Sequence, residues 1–194
     1  GYSVAISDSI VAVSSHNDDD NGVNIGSVYL YRTDGVFIQK LVSPDGAAHD
    51  RSGSSVAISN SIVAVSSFYD DDNGDKSGSV YLYRTDGVFI QKLVAPDAAT
   101  NDNFGHPVAI SDSIVAVSSR IYVAKSGSVY LYRTDGVFIQ KLVAPDGAAS
   151  DRFGKCVAIS NSIVAVSSPT DDDNGVDSGS VYLYRTDGVF IQKL

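Results

Sequence analysis

The stretch GSVYLYRTDGVFIQKL, residues 26–41, decides the fold, because the same sixteen residues occur four times without a change. The four copies begin at Gly26, Gly78, Gly127 and Gly179. A second string, VAIS-[DN]-SIVAVSS, precedes each copy and begins at Val4, Val56, Val108 and Val157. Such self-similarity indicates a repeat architecture. We therefore predict one domain over residues 1–194, built of four tandem repeats: 1–52, 53–104, 105–153 and 154–194.

The composition indicates an all-β protein. All 23 acidic residues are Asp, and Glu and Met are absent, although both favour helices. No window shows an apolar period of 3.6 residues. Each repeat instead divides into four strands, which in the first repeat are SVAIS, SIVAVSS, GSVYLYR and VFIQKL. Thr33, Asp34 and Gly35 separate the last two strands and predict a tight hairpin with a type I′ turn.

The strand GSVYLYR is apolar on both faces. Val28 and Leu30 point to one side of the sheet, and Tyr29 and Tyr31 to the other, so we expect both faces to be covered. Four-stranded antiparallel sheets that need cover on both sides, repeated in tandem, predict the blades of a β-propeller, with four blades in this chain. An open β-solenoid is the alternative.

The first strand has the smallest side chains, so we expect it at the crowded axis of the propeller. The fourth strand carries Lys40, which is typical of an exposed edge strand, so we expect it at the outer edge. We also expect the blades that contain Val4 and Val181 to meet and close the ring.

Several motifs resemble those of FG-GAP repeats, the family that builds the propeller of integrin α-subunits. They are Phe104-Gly105 and Phe153-Gly154 ahead of the first strand, and the SVAIS, IVAVSS and GSVYLY strands. The DDDNG loops are most similar to a variant of the repeat in bacterial and algal surface proteins. The resemblance implies an extracellular or cell-surface protein with an adhesion-like role, and it leaves open that the chain is part of a larger propeller, such as a seven-bladed one. The integrin-type calcium loop between the first two strands is missing, since that turn is only Ser7-Asp8-Ser9.

Aspartate triplets precede three of the four GSVYLYR strands, in loops that we expect to lie on one face of the disc together with connectors that carry Asp45 and Asp50. In the third repeat, the loop instead carries Arg120 and Lys125. Clustered carboxylates are ligands for Ca²⁺, so we predict a calcium or basic-partner site on this face; the alternative is a solvated turn. The candidate metal ligands are Asp18, Asp19, Asp20, Asp70, Asp71, Asp72, Asp171, Asp172 and Asp173.

No pattern in the sequence indicates an enzyme. His16, His49 and His106 fall at different phases of the repeat, so they do not form a repeated ligand set. No nucleophile elbow or phosphate loop is present. The net charge of −9 argues against nucleic acid as a partner, and no stretch is apolar enough to span a bilayer. Cys156 is the single cysteine, which we expect to be a small buried strand residue.

The sequence therefore predicts a non-catalytic protein-interaction scaffold, surface-associated or extracellular, with Ca²⁺ as the candidate assisting ion. Its partner would be a protein that binds the acidic loop face or the rim of the blades. A purely structural repeat module of a larger protein or assembly is the alternative. A lectin or a propeller hydrolase is a third reading, and it would require one convergent polar pocket at the axis.

Overall fold

The chain folds into strands and turns. A computed structural model describes residues 1–119 and 126–194, and in these residues every regular element is a β-strand. The strand bounds are β1 Val4–Ser7, β2 Ile10–Ser15, β3 Ser27–Arg32, β4 Phe37–Leu41, β5 Val56–Ser59, β6 Ile62–Ser67, β7 Ser79–Arg84, β8 Phe89–Leu93, β9 Val108–Ser111, β10 Ile114–Ser119, β11 Ser128–Arg133, β12 Phe138–Leu142, β13 Val157–Ser160, β14 Ile163–Ser168, β15 Ser180–Arg185 and β16 Phe190–Lys193.

Each repeat forms one four-stranded antiparallel meander, in which sequence neighbours are also neighbours in the sheet. We call the sheets β1–β4, β5–β8, β9–β12 and β13–β16 blades 1 to 4. The second and third strands pair over their full length, so that Ala12 lies opposite Leu30 and Val13 opposite Tyr29. The expected all-β fold of four antiparallel four-stranded blades is confirmed.

Two turns join the strands at one end of each blade. The residue after each first strand takes a positive φ near 50°, as at Asp8 and Asn60, which Asp and Asn tolerate better than most residues. The predicted type I′ turn at Thr33-Asp34-Gly35 is wrong. Only Gly35 has a positive φ, and its N–H donates to the Arg32 carbonyl, while the Arg32 N–H donates to the Val36 carbonyl. A three-residue loop favours this type I turn followed by a left-handed glycine over the two-residue type I′ turn.

In the residues that the structure describes, the hydrophobic core consists of three seams between neighbouring blades. The seam between blades 1 and 2 packs Val28 and Leu30 of one sheet against Tyr81 and Tyr83 of the next. Equivalent residues form the seams between blades 2 and 3 and between blades 3 and 4. The leucine and tyrosine side chains of the third strand therefore face opposite neighbours, as their alternation predicts.

The first strands lie nearest to one another, since β1 contacts β5, β5 contacts β9, and β9 contacts β13. The fourth strands lie at the outside, where Phe37 and its equivalents are more than a third exposed. The prediction of buried tyrosines is confirmed for Tyr81, Tyr130 and Tyr182, whereas Tyr29 in blade 1 is only half-buried.

The Phe-Gly pairs anchor the connectors between blades. Phe104 is fully buried and packs edge-on against the Tyr130 ring, with the two centroids 5.5 Å apart. Gly78 lies so close to Phe104 that a Cβ atom would fall 2.2 Å from the Phe104 carbonyl oxygen, so glycine is required there. Ser52 replaces the phenylalanine in the first connector, and its hydroxyl accepts a hydrogen bond of 2.9 Å from Ser43 instead.

The expected packing of blade 4 against blade 1 is not observed. Within residues 1–119 and 126–194, the buried clusters join blades 1 and 2, 2 and 3, and 3 and 4, but none joins 4 and 1. Val4 and Ile6, on the outer face of blade 1, are 67% and 65% exposed. Because the side chains in a seam set the angle between its two blades, three such seams need not bring the outermost faces together.

Cys156 is exposed, so the prediction of a buried strand residue is wrong. It precedes β13 instead of lying within it, and its N–H donates to the Ser167 hydroxyl.

The part of the chain that the structure describes contains no helix with the length and apolar character of a membrane span.

Candidate functional site

The aspartate triplets lie in three loops of the same design. We call residues 16–25, 68–77 and 169–178 the acidic loops; they follow β2, β6 and β14. They lie at the end of the blades opposite the hairpins, as expected from the meander. The corresponding loop of the third repeat, with Arg120 and Lys125, lies outside the described residues.

The first aspartate of each triplet turns inward. Asp70 is 2% exposed, and its carboxylate accepts a hydrogen bond of 2.8 Å from the Tyr81 hydroxyl. The Lys92 ammonium lies 2.9 Å from the same carboxylate. The other oxygen accepts the N–H of Asp72, which closes a tight local turn. Asp18 and Asp171 make the same contacts in their own blades.

The second aspartate of each triplet holds the end of its loop. The Asp71 carboxylate accepts a hydrogen bond of 2.6 Å from the N–H of Lys76, whose φ is +52°. Asp19 accepts the N–H of Asn24 in the same way, and Asp172 accepts that of Asp177. The loop is therefore fixed by its own side chain, while the second aspartate stays exposed.

The third aspartate pairs with a lysine of the outer strand. Lys40 lies 2.7 Å from Asp20, and Lys92 and Lys193 form the equivalent pairs with Asp72 and Asp173. Each lysine also lies above the ring of the third-strand tyrosine, as Lys92 does at 5.2 Å from the Tyr81 centroid. One lysine thus partly neutralises two carboxylates of each triplet.

The connectors approach the same lysines from the preceding blade, as predicted for Asp45. The Asp45 carboxylate lies 2.9 Å from Lys92 and 2.6 Å from the Tyr81 hydroxyl, whose single proton it shares with Asp70. Asp146 has the equivalent contacts with Lys193 and Tyr182. In blades 2 and 4, the Tyr–Lys–Asp cluster therefore spans a seam and ties the acidic loop to two blades.

Asp50 lies in the same connector but behaves differently. It is buried, and its carboxylate accepts a hydrogen bond of 2.7 Å from the N–H of Ala47. Burial raises the pKa of Asp50 to about 6, and the nearby charges of Asp70 and Asp71 act in the same direction. This carboxyl group is therefore partly protonated in mildly acidic solution.

The clusters set the charge state of the acidic loops. Burial alone would raise the pKa of Asp171, but hydrogen bonds from Tyr182 and Lys193 outweigh it and lower this pKa to about 2. Burial would lower the pKa of Lys193, but hydrogen bonds from its carboxylate partners raise it above its ordinary value. Both groups are therefore charged at neutral pH.

The candidate metal ligands are brought together, but each has a protein partner. Among the described residues, no group of three or more His, Cys, Asp or Glu side chains is arranged to hold a metal ion. A calcium ion between Asp18 and Asp20 would have to displace the Lys40 ammonium, which lies 3.3 Å and 2.7 Å from them. Calcium binding by the nine aspartates remains a prediction.

Sequence reasoning missed the lysines of this cluster. Lys40, Lys92 and Lys193 were predicted only to protect an outer edge strand. The signal was nevertheless present, because Tyr29 and Lys40 are direct partners in the register of β3 and β4, on the face from which the triplet carboxylates approach. Lysine therefore complements the triplet in each of the three repeats that carry one.

The histidines are separated, as expected from their phases in the repeat. His16 packs against the Tyr2 ring at a tilt of 48°, and His106 stacks on Phe68, whereas His49 is exposed in the first connector. A shallow groove beside the second acidic loop is lined by His49, Arg51, Tyr69, Asp71, Asp75 and Lys76. Its mixed charges and open shape do not form an arrangement of nucleophile and base.

The repeated blades and loops define a propeller-type repeat protein, and comparison with known families identifies which kind. The model of the FG-GAP repeat matches residues 1–31, 36–83, 88–132 and 137–184. The chain therefore belongs to the FG-GAP repeat family, which confirms the resemblance seen in its motifs. No curated protein matches the chain. FG-GAP repeats are repeats of the protein-interaction and adhesion type and are generally not enzymes.

Proposed function

We propose that this chain is a non-catalytic interaction scaffold, extracellular or surface-associated, which presents its acidic loops to a positively charged protein surface. The observation that carries the proposal is the repeated, self-supporting geometry of these loops. Each loop is fixed by hydrogen bonds of its first and second aspartates, while the second and third aspartates remain exposed. A partner therefore meets carboxylates whose positions are set before binding, which lowers the cost of ordering them.

The opposite end of the blades supports this assignment by contrast. Each hairpin carries one arginine and one aspartate that pair with each other, as do Arg32 and Asp34 at 2.8 Å and Arg84 and Asp86 at 2.9 Å. The hairpins are therefore balanced in charge. Most of the net charge of −9 lies at the loop end, where it attracts basic partners over several ångströms.

A matched pair of triple variants tests the proposal. Asp19→Asn, Asp71→Asn and Asp172→Asn together remove three exposed charges but keep the oxygen that holds each loop. Asp34→Asn, Asp86→Asn and Asp187→Asn remove three charges from the hairpin end. The probe is an immobilised lysine-rich peptide, with binding measured from 50 to 300 mM salt.

We expect the first triple variant to weaken binding at least fivefold and the hairpin variant to change it less than twofold. Binding should fall as salt rises, because exposed charges are screened over about 10 Å at 0.1 M salt. Equal losses in the two variants, or no binding by the unaltered chain at low salt, would refute the loop face as the interaction surface.

Thermal melts of the same variants test whether the chain binds Ca²⁺. A cation that binds only the folded chain must raise its melting temperature as the cation concentration rises. Melts in calcium chloride and in chelator, with the Asp19, Asp71 and Asp172 triple variant as control, decide whether calcium assists. Identical melts would leave a scaffold that acts without calcium.

The proposed location has its own test. Antibody labelling of intact source cells, compared with permeabilised ones, should stain the chain without permeabilisation if it lies at the surface. Staining only after permeabilisation would reject the extracellular assignment and would favour the alternative of a structural module inside a larger assembly.

A further inference from the structure

The second acidic loop departs from the repeat at three positions. The strand sequences are the same in all four repeats, so the repeats differ in their loops and connectors. Three residues of this loop have no counterpart in the other two acidic loops: Tyr69, Asp75 and Lys76. The residues at these positions are Asn17, Val23 and Asn24 in the first acidic loop and Thr170, Val176 and Asp177 in the last. Because variable loops on a rigid scaffold commonly carry binding function, this departure marks a candidate site.

The three residues line an open groove that crosses from the second acidic loop to the first connector. The loop contributes them together with Asp71, and the connector contributes Arg51 with Ala48 and His49. The groove has a volume of about 200 Å³, which is below the range of about 300–1,000 Å³ typical of small-molecule sites. It therefore suits a few side chains of a larger partner better than a free small molecule.

Arg51 brings to this groove a positive charge that no carboxylate compensates. Its guanidinium lies 5.1 Å from the centre of the Tyr69 ring, and its Nε is buried without a hydrogen-bond partner. Among the described residues it forms no ion pair, whereas the arginine of each hairpin pairs with the aspartate of that hairpin. The aromatic ring supports the guanidinium but supplies less stabilisation than a carboxylate in two-point contact would.

The same groove also presents negative charge. Asp71 and Asp75 are both exposed, and the N–H of Lys76 fixes the Asp71 carboxylate in place. The Lys76 ammonium lies 3.9 Å from Asp75, which is a loose pair. The groove thus places one uncompensated guanidinium beside two exposed carboxylates, so a complementary partner must carry charges of both signs.

We infer that this groove binds a basic peptide segment of the partner through one acidic residue within that segment. The acidic side chain pairs with Arg51, while the flanking lysines or arginines pair with Asp71 and Asp75. This inference rests on the proposed function and adds specificity to it. Any basic surface fits exposed carboxylates, but only one with a carboxylate among its basic residues also fits Arg51.

The chain supplies a matched pair of variants. Arg51→Asn introduces the residue found at the equivalent position of the second connector, Asn103, where φ is +50° compared with +56° at Arg51. Arg152→Asn is the control, since Arg152 has the same position in the third connector with a φ of +58°, but Thr170 stands where the groove has Tyr69. Each variant removes one positive charge from the same end of the blades. Circular dichroism melts confirm that both fold.

Two peptides that differ at one position are the probes. Both consist of lysines around a central residue, which is glutamine in one and glutamate in the other, and calorimetric titration at 50 mM salt measures their binding. We expect the unaltered chain and Arg152→Asn to bind the glutamate peptide at least threefold more tightly, although glutamate lowers the positive charge of the peptide. Arg51→Asn should prefer the glutamine peptide, because only the repulsion of glutamate by Asp71 and Asp75 is then left.

Other outcomes would overturn the inference. If the unaltered chain binds the glutamine peptide at least as tightly as the glutamate peptide, the acidic loops bind basic surfaces but the groove selects nothing. A preference that survives in Arg51→Asn would assign the glutamate to another cation, and a preference lost equally in Arg152→Asn would assign it to net charge. Binding of neither peptide would refute the proposed function and this inference with it.

Discussion

Blade 2 and blade 1 contain the same strands but differ in what surrounds them. Tyr81 in blade 2 is fully buried, and its hydroxyl lies within hydrogen-bond distance of both Asp70 and Asp45, which share its single proton. Tyr29 occupies the same position in blade 1, is only half-buried, and donates to Asp18 alone among the described residues. Because the strand sequences are identical, the neighbouring blade decides how much each side chain contributes. The chain therefore carries an internal control for the energetics of a seam.

Removal of the central tyrosine should give the largest effect. We expect Tyr81→Ala to lower the free energy of unfolding by about 3–5 kcal/mol, because it leaves a cavity in the seam and two carboxylates without their hydroxyl donor. Tyr29→Ala should cost less than half as much, since its ring is already half in water. Urea denaturation followed by circular dichroism measures both losses. Similar losses in the two variants would show that the seam adds little to what a blade provides alone.

Removal of the outer-strand lysine should also destabilise blade 2 more than blade 1, but by less than removal of the tyrosine. Lys92 pairs with two aspartates of its own loop and with Asp45 across the seam, whereas the partners of Lys40 among the described residues all lie in blade 1. We expect Lys92→Met to cost about 1–3 kcal/mol, because it leaves the buried Asp70 without its counter-charge. Lys40→Met should cost less, and thermal melts at low and high salt measure the difference. A larger loss for Lys40→Met would contradict the cross-seam role of Asp45.

The stability contributed by the connector residue Asp50 and that contributed by the loop residue Asp171 should depend on pH in opposite directions. The raised pKa of Asp50, about 6, means that the folded state binds a proton before the unfolded state does. Its contribution to stability therefore grows as pH falls from about 7 to 4. Asp171, with a lowered pKa of about 2, acts in the opposite sense, and its contribution is lost as pH falls from about 4 to 2.

We accordingly expect a maximum of stability between about pH 4 and 5. Asp50→Asn keeps the oxygen that accepts the Ala47 N–H but cannot bind the proton. This variant should lose the rise between pH 7 and 5, which is at most about 1.4 kcal/mol per pH unit for one proton. Melting temperatures at half-unit steps of pH provide the measurement. A variant that retains the rise would assign it to another group.

The sequence was enough to predict the blades but not the surroundings of each blade. The alternation of Val28, Tyr29, Leu30 and Tyr31 determines which side chains share a face, so the strands, the two apolar faces and the acidic end followed from it. The exposure of Ile6 did not, because it depends on the angle between blades, which depends on many side chains at once. The partners of Lys40 were also missed, although the register of β3 and β4 could have shown them.

The smallest effect should be found at the hairpins, and there the two blades should not differ. Arg84 and Asp86 in blade 2 lie 2.9 Å apart, and Arg32 and Asp34 in blade 1 lie 2.8 Å apart, with all four side chains at least half exposed. Exposed pairs of this kind contribute about 0–1 kcal/mol, because water screens them and long side chains lose freedom. We expect Arg84→Ala and Arg32→Ala each to change the free energy of unfolding by less than about 0.5 kcal/mol. The backbone of the blade 2 hairpin lies against blade 1, since a Cβ atom on Gly87 would fall 2.6 Å from Gln39. A difference between the two variants would therefore mean that this hairpin contact, and not only the buried seam, distinguishes blade 2 from blade 1.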